Sequence, residues 1–207
     1  MVTERLMWRF IVRSSDSTVQ TKEWGTSSDV AVPGDYDGDG KTDVAVYRSG
    51  LWYIVGSTSG VRVAEWGEPT DIVVPGDYDG DGKTDVAVYR SGLWYVLGST
   101  AGTHVYQWGQ PGDVPVPGDY DGDGKTDVAV YRSGLWYVLN STGGFHVTEW
   151  GGEPTDIPVP GDYDGDGHDD IAIYRSGLWY VLGSTSGFRL VEWGSPTDIP
   201  IPPRSAP

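Results

Sequence analysis

The 207-residue chain has no cysteine, only 2 methionines and 3 phenylalanines, and 14 Lys and Arg against 30 Asp and Glu, for a formal net charge of −16. Without cysteine there is neither a disulfide framework nor a thiolate metal site. The shortage of cations argues against a nucleic-acid partner, because phosphate binding runs on surplus Lys and Arg. Apolar runs fall well short of a membrane span. The start, Met1-Val2-Thr3-Glu4-Arg5, is not followed by an apolar stretch long enough for a signal peptide, so any export signal is expected to have been removed or never present. What the chain does have is 31 Gly, 14 Pro, 10 Trp and 13 Tyr. That is too aromatic for a disordered acidic chain, and the length suits one domain or two small ones.

Most of the chain is a repeat, and a fixed period decides architecture. The string Pro-Gly-Asp-Tyr-Asp-Gly-Asp-Gly begins at Pro33, Pro75, Pro117 and Pro160, in steps of 42, 42 and 43 residues. A Trp-Gly pair recurs at Trp24, Trp66, Trp108, Trp150 and Trp193, and a strand-like Trp at Trp8, Trp52, Trp94, Trp136 and Trp179. One unit reads as four short strands. Asp71 to Pro75 is the first, and an acidic loop follows. Thr84 to Arg90 is the second, rich in β-branched residues and Tyr. Ser91-Gly92 makes a hairpin turn, Leu93 to Gly98 is the third strand, and His104 to Trp108 the fourth. Four strands in about 42 residues predict an all-β fold, a β-propeller blade per unit. A β-solenoid is the alternative, but its coils are shorter and need no hairpin turns.

Aligning Trp8 with Trp52 starts the chain inside a second strand. Matching Ile199-Pro200-Ile201-Pro202 to Ile157-Pro158-Val159-Pro160 stops it after a first strand. The reading is a single propeller domain over 1–207 with blades at about 29–67, 71–109, 113–151 and 156–194. Residues 198–202 plus 1–25 make a split fifth blade that closes the ring. A piece of a longer array is the competing view. Prolines in the first strand suit an innermost strand whose edge faces the channel.

The acidic loop carries the chemistry. In Asp35-Tyr36-Asp37-Gly38-Asp39-Gly40-Lys41-Thr42-Asp43, carboxylates stand at positions 1, 3, 5 and 9, and the glycines let the loop curl so that they converge. The backbone carbonyl of Lys41 adds a neutral ligand. Four carboxylates this close repel unless a cation joins them, and an all-oxygen set suits Ca²⁺ over Mg²⁺ or zinc. The other copies are Asp77, Asp79, Asp81, Lys83, Asp85; Asp119, Asp121, Asp123, Lys125, Asp127; and Asp162, Asp164, Asp166, His168, Asp170. About four calcium ions per chain are expected. The first half of the loop is EF-hand-like, but position 12 is Val46 in place of Glu. A metal-free Asp/Gly turn held by Asx bonds is the plainer reading. The loops hold sixteen aspartates, so the remaining fourteen acids balance the fourteen Lys and Arg. The net charge thus counts metal sites, not partners.

The unit VPGDYDGDGKTDVAVYR resembles the FG-GAP/VCBS-type repeat of integrin α-subunit propellers, some fungal lectins and many secreted bacterial proteins. The resemblance covers nearly the whole chain and implies a β-propeller. It also implies calcium in the loop between first and second strands, the sixteen loop aspartates as ligands, and a place outside the cell. The family is best known for seven blades, against five counted here. Five-bladed tachylectin-type lectins are similar in blade count and Trp-rich repeats.

Two functions compete. One is a calcium-stabilised, multivalent binding module for glycans or a protein surface, since near-identical blades present near-identical surfaces. Its candidate contacts are Arg48, Trp52, Arg90, Trp94, Arg132, Trp136, Arg175 and Trp179. A Trp at a fixed blade position equally serves as core between blades, and the Arg as a hairpin-end ion-pair partner. The other function is a structural or engineered scaffold in which calcium serves only stability. An enzyme is not expected. Catalysis needs an asymmetric constellation, nearly every acid here recurs, and no nucleophile elbow or phosphate loop is present. His104 and His146 fall at the strand position of Arg62 and Arg189. A monomer is expected, with a dimer if the ring is open.

Overall fold

The computed structural model describes the backbone of residues 8–13 and 19–200 and the side chains of residues 24–200. The described chain is all β. β1 (Trp8–Arg13) and β2 (Val19–Trp24) pair as a two-stranded antiparallel sheet. Four units follow. The first holds β3 (Val30–Ala31), β4 (Val44–Arg48), β5 (Leu51–Gly56) and β6 (Gly60–Glu65). The second holds β7 (Ile72–Val73), β8 (Val86–Arg90), β9 (Leu93–Gly98) and β10 (Gly102–Gln107). The third holds β11 (Val114–Pro115), β12 (Val128–Arg132), β13 (Leu135–Leu139) and β14 (Phe145–Glu149). The fourth holds β15 (Ile157–Pro158), β16 (Ile171–Arg175), β17 (Leu178–Gly183) and β18 (Gly187–Glu192). Each unit is an antiparallel sheet with its strands in sequence order, which makes it a propeller blade. The loop bases of all four units and the first strands of the second, third and fourth line one cavity of 740 Å³, Gly34, Val73, Pro115 and Pro158 among them. Pro115 and Pro158 thus sit on the channel-facing strand, where a missing N–H costs no ladder bond.

Local chemistry explains each blade. The second strand, Val-Ala-Val-Tyr, is buried on both faces, as its unbroken apolar run requires. The third alternates buried and partly buried residues, and the fourth is mostly exposed. Between second and third strands, Ser and Gly both take positive φ, 49° and 88° at Ser49-Gly50, a type I′ hairpin turn. Glycine is obligatory at its second position, since a Cβ on Gly50 would meet the Gly67 carbonyl at 2.7 Å. The turn brings Tyr47 opposite Trp52, their rings edge to face at 5.3 Å. Below each acidic loop a bridge such as Gly34–Asp43 ties first strand to second.

Blades are joined by bonds as well as packing. The indole N–H of Trp24, Trp66, Trp108 and Trp150 donates to the carbonyl of Tyr53, Tyr95, Tyr137 and Tyr180 in the next unit, at 2.9–3.2 Å. Thr84 and Thr126 donate their N–H to the carbonyls of Asp35 and Asp77 in the preceding loop. Val86 and Val88 of the second unit complete the core around Trp52 of the first, and the pattern recurs at the next two junctions. Fully buried Trp52, Trp94 and Trp136 each contribute up to about 3 kcal/mol of hydrophobic stabilisation.

Four complete blades stand among the described residues, where five were expected. Residues 1–7, 14–18 and 201–202 of the expected closing blade lie outside the described residues. Its remaining parts are the two-stranded sheet β1–β2 and the segment Asp198–Pro200, which forms no strand. Ile199 is 87% exposed. In every complete unit the bridge at the base of the acidic loop fastens first strand to second. At the far face of the fourth unit Trp193 is 76% exposed and faces no further complete blade among the described residues.

Candidate metal centres

Each acidic loop wraps around its own first aspartate. In the first unit, Asp35 accepts N–H bonds from Gly38 (2.7 Å), Asp39 (3.2 Å) and Gly40 (2.7 Å). Gly38 and Gly40 make this curl with φ of 77° and 80°, a region that disfavours other residues. The ninth-position Asp43 closes the loop by accepting the N–H of Tyr36 and Asp37. The phenol of Tyr36 donates to the Val32 carbonyl and pins the loop to the first strand.

A second segment, which the sequence reading took for an ordinary small-residue turn, completes the site. It is the turn between third and fourth strands. Ser57 N–H donates to Asp43 Oδ1 at 2.6 Å, and Thr58 N–H, Thr58 Oγ1 and Ser59 N–H all donate to Asp37 Oδ2 at 2.9 Å. The signal was present in the spacing, because a Ser follows each ninth-position Asp by fourteen residues: Ser57, Ser99, Ser141 and Ser184. Each makes the same bond.

This arrangement brings carboxylate oxygens together within 4.8 Å in four groups: Asp35, Asp37 and Asp39; Asp77, Asp79 and Asp85; Asp119, Asp121 and Asp127; and Asp162, Asp164 and Asp170. The fifth-position Asp81, Asp123 and Asp166 stand outside these groups. Each is turned to the N–H of the residue two on and to the hydroxyl of the turn serine. Asp43 likewise stands outside its own group, its carboxylate held by three N–H bonds. The side chains of the seventh position make contacts of their own. Lys41 Nζ pairs with Asp39 at 3.0 Å. The carbon chains of Lys83 and Lys125 cross Gly38 and Gly80 of the preceding loop, and the His168 ring crosses Gly122.

One observation tests whether these groups fit a cation. Oδ1 of Asp37, Asp79, Asp121 and Asp164 is buried and accepts no hydrogen bond. Buried acceptors are nearly always satisfied, yet the same third-position oxygen is orphaned in all four units, in the middle of the acidic group. The electrostatics agree. Burial pushes the Asp85 carboxyl up to about 6 and that of Asp127 to about 7, with Asp79 and Asp77, or Asp121 and Asp119, adding repulsion. Asp43 is raised by burial as well. Asp37 goes the other way, to about 2, held foremost by the Thr58 N–H. An ionised oxygen with no donor beside carboxylates reluctant to ionise is a set that could hold a metal ion.

Residues 119–173, which span the third and fourth acidic loops and β12 to β16, match the model of the FG-GAP-like repeat. The first two units repeat the same loop and strand sequence. No curated protein or solved structure matches the chain. Among the described residues no helix is long and apolar enough to cross a membrane.

The other expected contacts lie elsewhere. Trp52, Trp94 and Trp136 are fully buried and Trp179 partly so. All four donate their indole N–H to the carbonyl of Trp66, Trp108, Trp150 or Trp193 in the same blade. Trp52, Trp94 and Trp136 are core, while Trp179 keeps part of its ring exposed. Arg48, Arg90, Arg132 and Arg175 each grip an aspartate nineteen residues back through two nitrogens: Asp29, Asp71, Asp113 and Asp156. Each also stacks on Tyr53, Tyr95, Tyr137 or Tyr180, about 5 Å from the ring centre. The guanidiniums fasten the second strand to the linker before the first. Their aspartates were missed in sequence because a lone Asp in a Gly/Pro linker reads as a turn residue.

Proposed function

We propose that the chain is a calcium-held β-propeller acting as a multivalent binding module outside the cell, with a glycan or a protein surface as its ligand. The orphaned third-position oxygen, repeated in every loop, carries the metal part of this reading. The donor set is all oxygen and flexible in number, which matches Ca²⁺ better than the smaller, more strongly hydrated Mg²⁺. The first-, third- and ninth-position carboxylates would hold the ion, and the ion would supply charge neutralisation that lets Asp85 and Asp127 ionise. The Ser/Thr turn orients those carboxylates by donating to the lone pairs the ion leaves free. Calcium loops of this kind need extracellular calcium levels, which supports the location. The fold class and the FG-GAP-like match support a binding role in general.

Metal stoichiometry by native mass spectrometry, with melting curves in calcium and in EDTA, tests the metal reading. Four ions per chain and a strong fall in melting temperature on chelation are expected, since a ligand of the folded state stabilises it. An unchanged melt in EDTA overturns it. A glycan array with and without chelator tests the binding role. A second reading, a scaffold in which calcium serves only stability, draws support from the burial of Trp52, Trp94 and Trp136 and the pairing of the four Arg. Absence of binding to any glycan or cell surface with calcium sites full would favour it.

A further inference from the structure

The four units are so alike that their departures stand out, and two of the departures meet in one place. Where the other units have Gly56, Gly98 and Gly183 at the end of the third strand, the third has Asn140. Where the others have Ala64, Thr148 and Val191 in the fourth strand, the second has Tyr106. Both line a single cavity of 280 Å³ between the second and third units.

Tyr106 packs against the core between the two units, but the fold does not explain Asn140. Glycine at the Asn140 position is there for a reason: a Cβ on Gly56, Gly98 or Gly183 would come within 2.7–2.8 Å of the third-position carboxylate. Accommodating Asn140 alters the latch of the third loop. Asp121 is given the Thr142 hydroxyl, where Asp37 has two backbone N–H groups as well. The Asn140 Oδ1 is itself buried without a hydrogen-bond partner. A buried amide oxygen left unpaired is destabilising and calls for an explanation.

The rest of the cavity wall supplies one. His104 and Tyr106 stack at 6.4 Å with planes 23° apart, forming a flat aromatic flank. Tyr106 is anchored from behind by the core between the two units. Val96 and Leu139 add apolar surface, and Asp79 of the second acidic loop borders the opening. An aromatic plate, a small apolar floor and convergent polar groups are the parts of a small-ligand site, and the volume admits one ring-sized molecule, not a peptide. The ligand must offer hydroxyl donors on its edge to the amide oxygen and a C–H face to the plate.

We propose that this cavity binds a single pyranose ring, free or at the end of a glycan, with Asn140 accepting a hydroxyl proton and the His104–Tyr106 plate covering one sugar face. The proposal rests on the binding-module reading, and it changes one element of it: recognition is at one junction, not at four or five equivalent blades.

The test uses the full chain in calcium and a panel of methyl pyranosides and N-acetylglucosamine, followed by saturation-transfer NMR and calorimetry. Two variants return the site to residues that other units carry, Asn140→Gly and Tyr106→Thr, so both should fold. At least one sugar is expected to bind with millimolar-range affinity at one site per chain. Each variant should weaken it about tenfold or more, with the melting temperature of Asn140→Gly unchanged or raised. Binding that survives both substitutions, or a stoichiometry of four, overturns this pocket but leaves the binding module standing. No saturation transfer from any sugar while four calcium ions are bound overturns the pocket alone. Loss of calcium binding overturns the underlying reading instead.

Discussion

Ser57 donates its backbone N–H to Asp43 Oδ1 at 2.6 Å, so one carboxylate clamps two separate hairpins. Its other oxygen takes Tyr36 N–H of the acidic loop. The same pairing joins Asp127 to Ser141 and Tyr120. The ninth-position aspartate is therefore structural even before any cation is considered. Replacing Asp127 with Ala strands two buried donors and should cost about 3 kcal/mol in urea unfolding, while Asp127→Asn keeps one acceptor and should cost less. If the position is also a ligand, Asp127→Asn drops the calcium count from four to three. A retained count of four removes Asp127 from the ligand set.

The pH dependence of the metal-free protein should run opposite to that of the calcium form. Carboxyls raised by burial to about 6 and about 7, at Asp85 and Asp127, favour the fold in their protonated state. Their contribution is fully present below the unfolded value near 4 and is lost as pH rises through 6 to 7. Melting in EDTA should thus be higher at pH 5 than at pH 7.5. With calcium the order reverses, because protons compete for the ligands. The Arg48 guanidinium holds Asp29 below its usual range, and that contribution is lost only as pH falls below about 4, outside this window. Identical trends with and without calcium would sink the assignment.

The Arg132–Asp113 pair should prove asymmetric. The carboxylate is almost fully buried and the guanidinium one-third exposed. Arg132→Ala leaves a buried, uncompensated anion and should cost about 2 kcal/mol, below the range for a fully buried pair because water reaches the cation. Arg132→Lys should recover only part of it, having lost the two-pronged grip and the stacking on Tyr137. Adding Asp113→Asn to Arg132→Ala should cost less than the sum of the single changes, a coupling that a double-mutant cycle measures.

Much of this could be read from residue spacing, and what could not has a common cause. The period at Pro33, Pro75, Pro117 and Pro160 placed the blades, and the Tyr-Arg-Ser-Gly hairpins fell where Ser49-Gly50 and its copies turn. The acidic loops announced themselves because alternating Asp and Gly have few other uses. Ser57, Thr58 and Asp29 stayed hidden because their residue types are ordinary in turns. Only the folded hairpin brings Ser57 to Asp43 across fourteen residues, and Arg48 to Asp29 across nineteen. Blade number differed as well: counting strands supplied a fifth blade, of which only the β1–β2 pair stands among the described residues. The fourth strand began two residues early, at Gly102 and not at His104.

Coupling between blades can be tested at two tryptophans of the same repeat position. Trp108 donates its indole N–H to the Tyr137 carbonyl of the next unit at 2.9 Å and packs on Phe145. Trp193 is 76% exposed and faces no further complete blade among the described residues. Trp108→Phe removes the donor and part of the packing, so it should cost about 1–2 kcal/mol. It should also weaken the junction between the second and third units enough to broaden the unfolding transition, since a repeat array is held by nearest-neighbour terms. Trp193→Phe should change stability by no more than about 0.5 kcal/mol. Equilibrium unfolding of the two variants side by side decides the matter. Equal losses would mean that in solution the far face of the fourth unit is covered, by β1–β2 closing the ring or by a second copy of the chain, and the concentration dependence of the Trp193→Phe midpoint would tell these two apart.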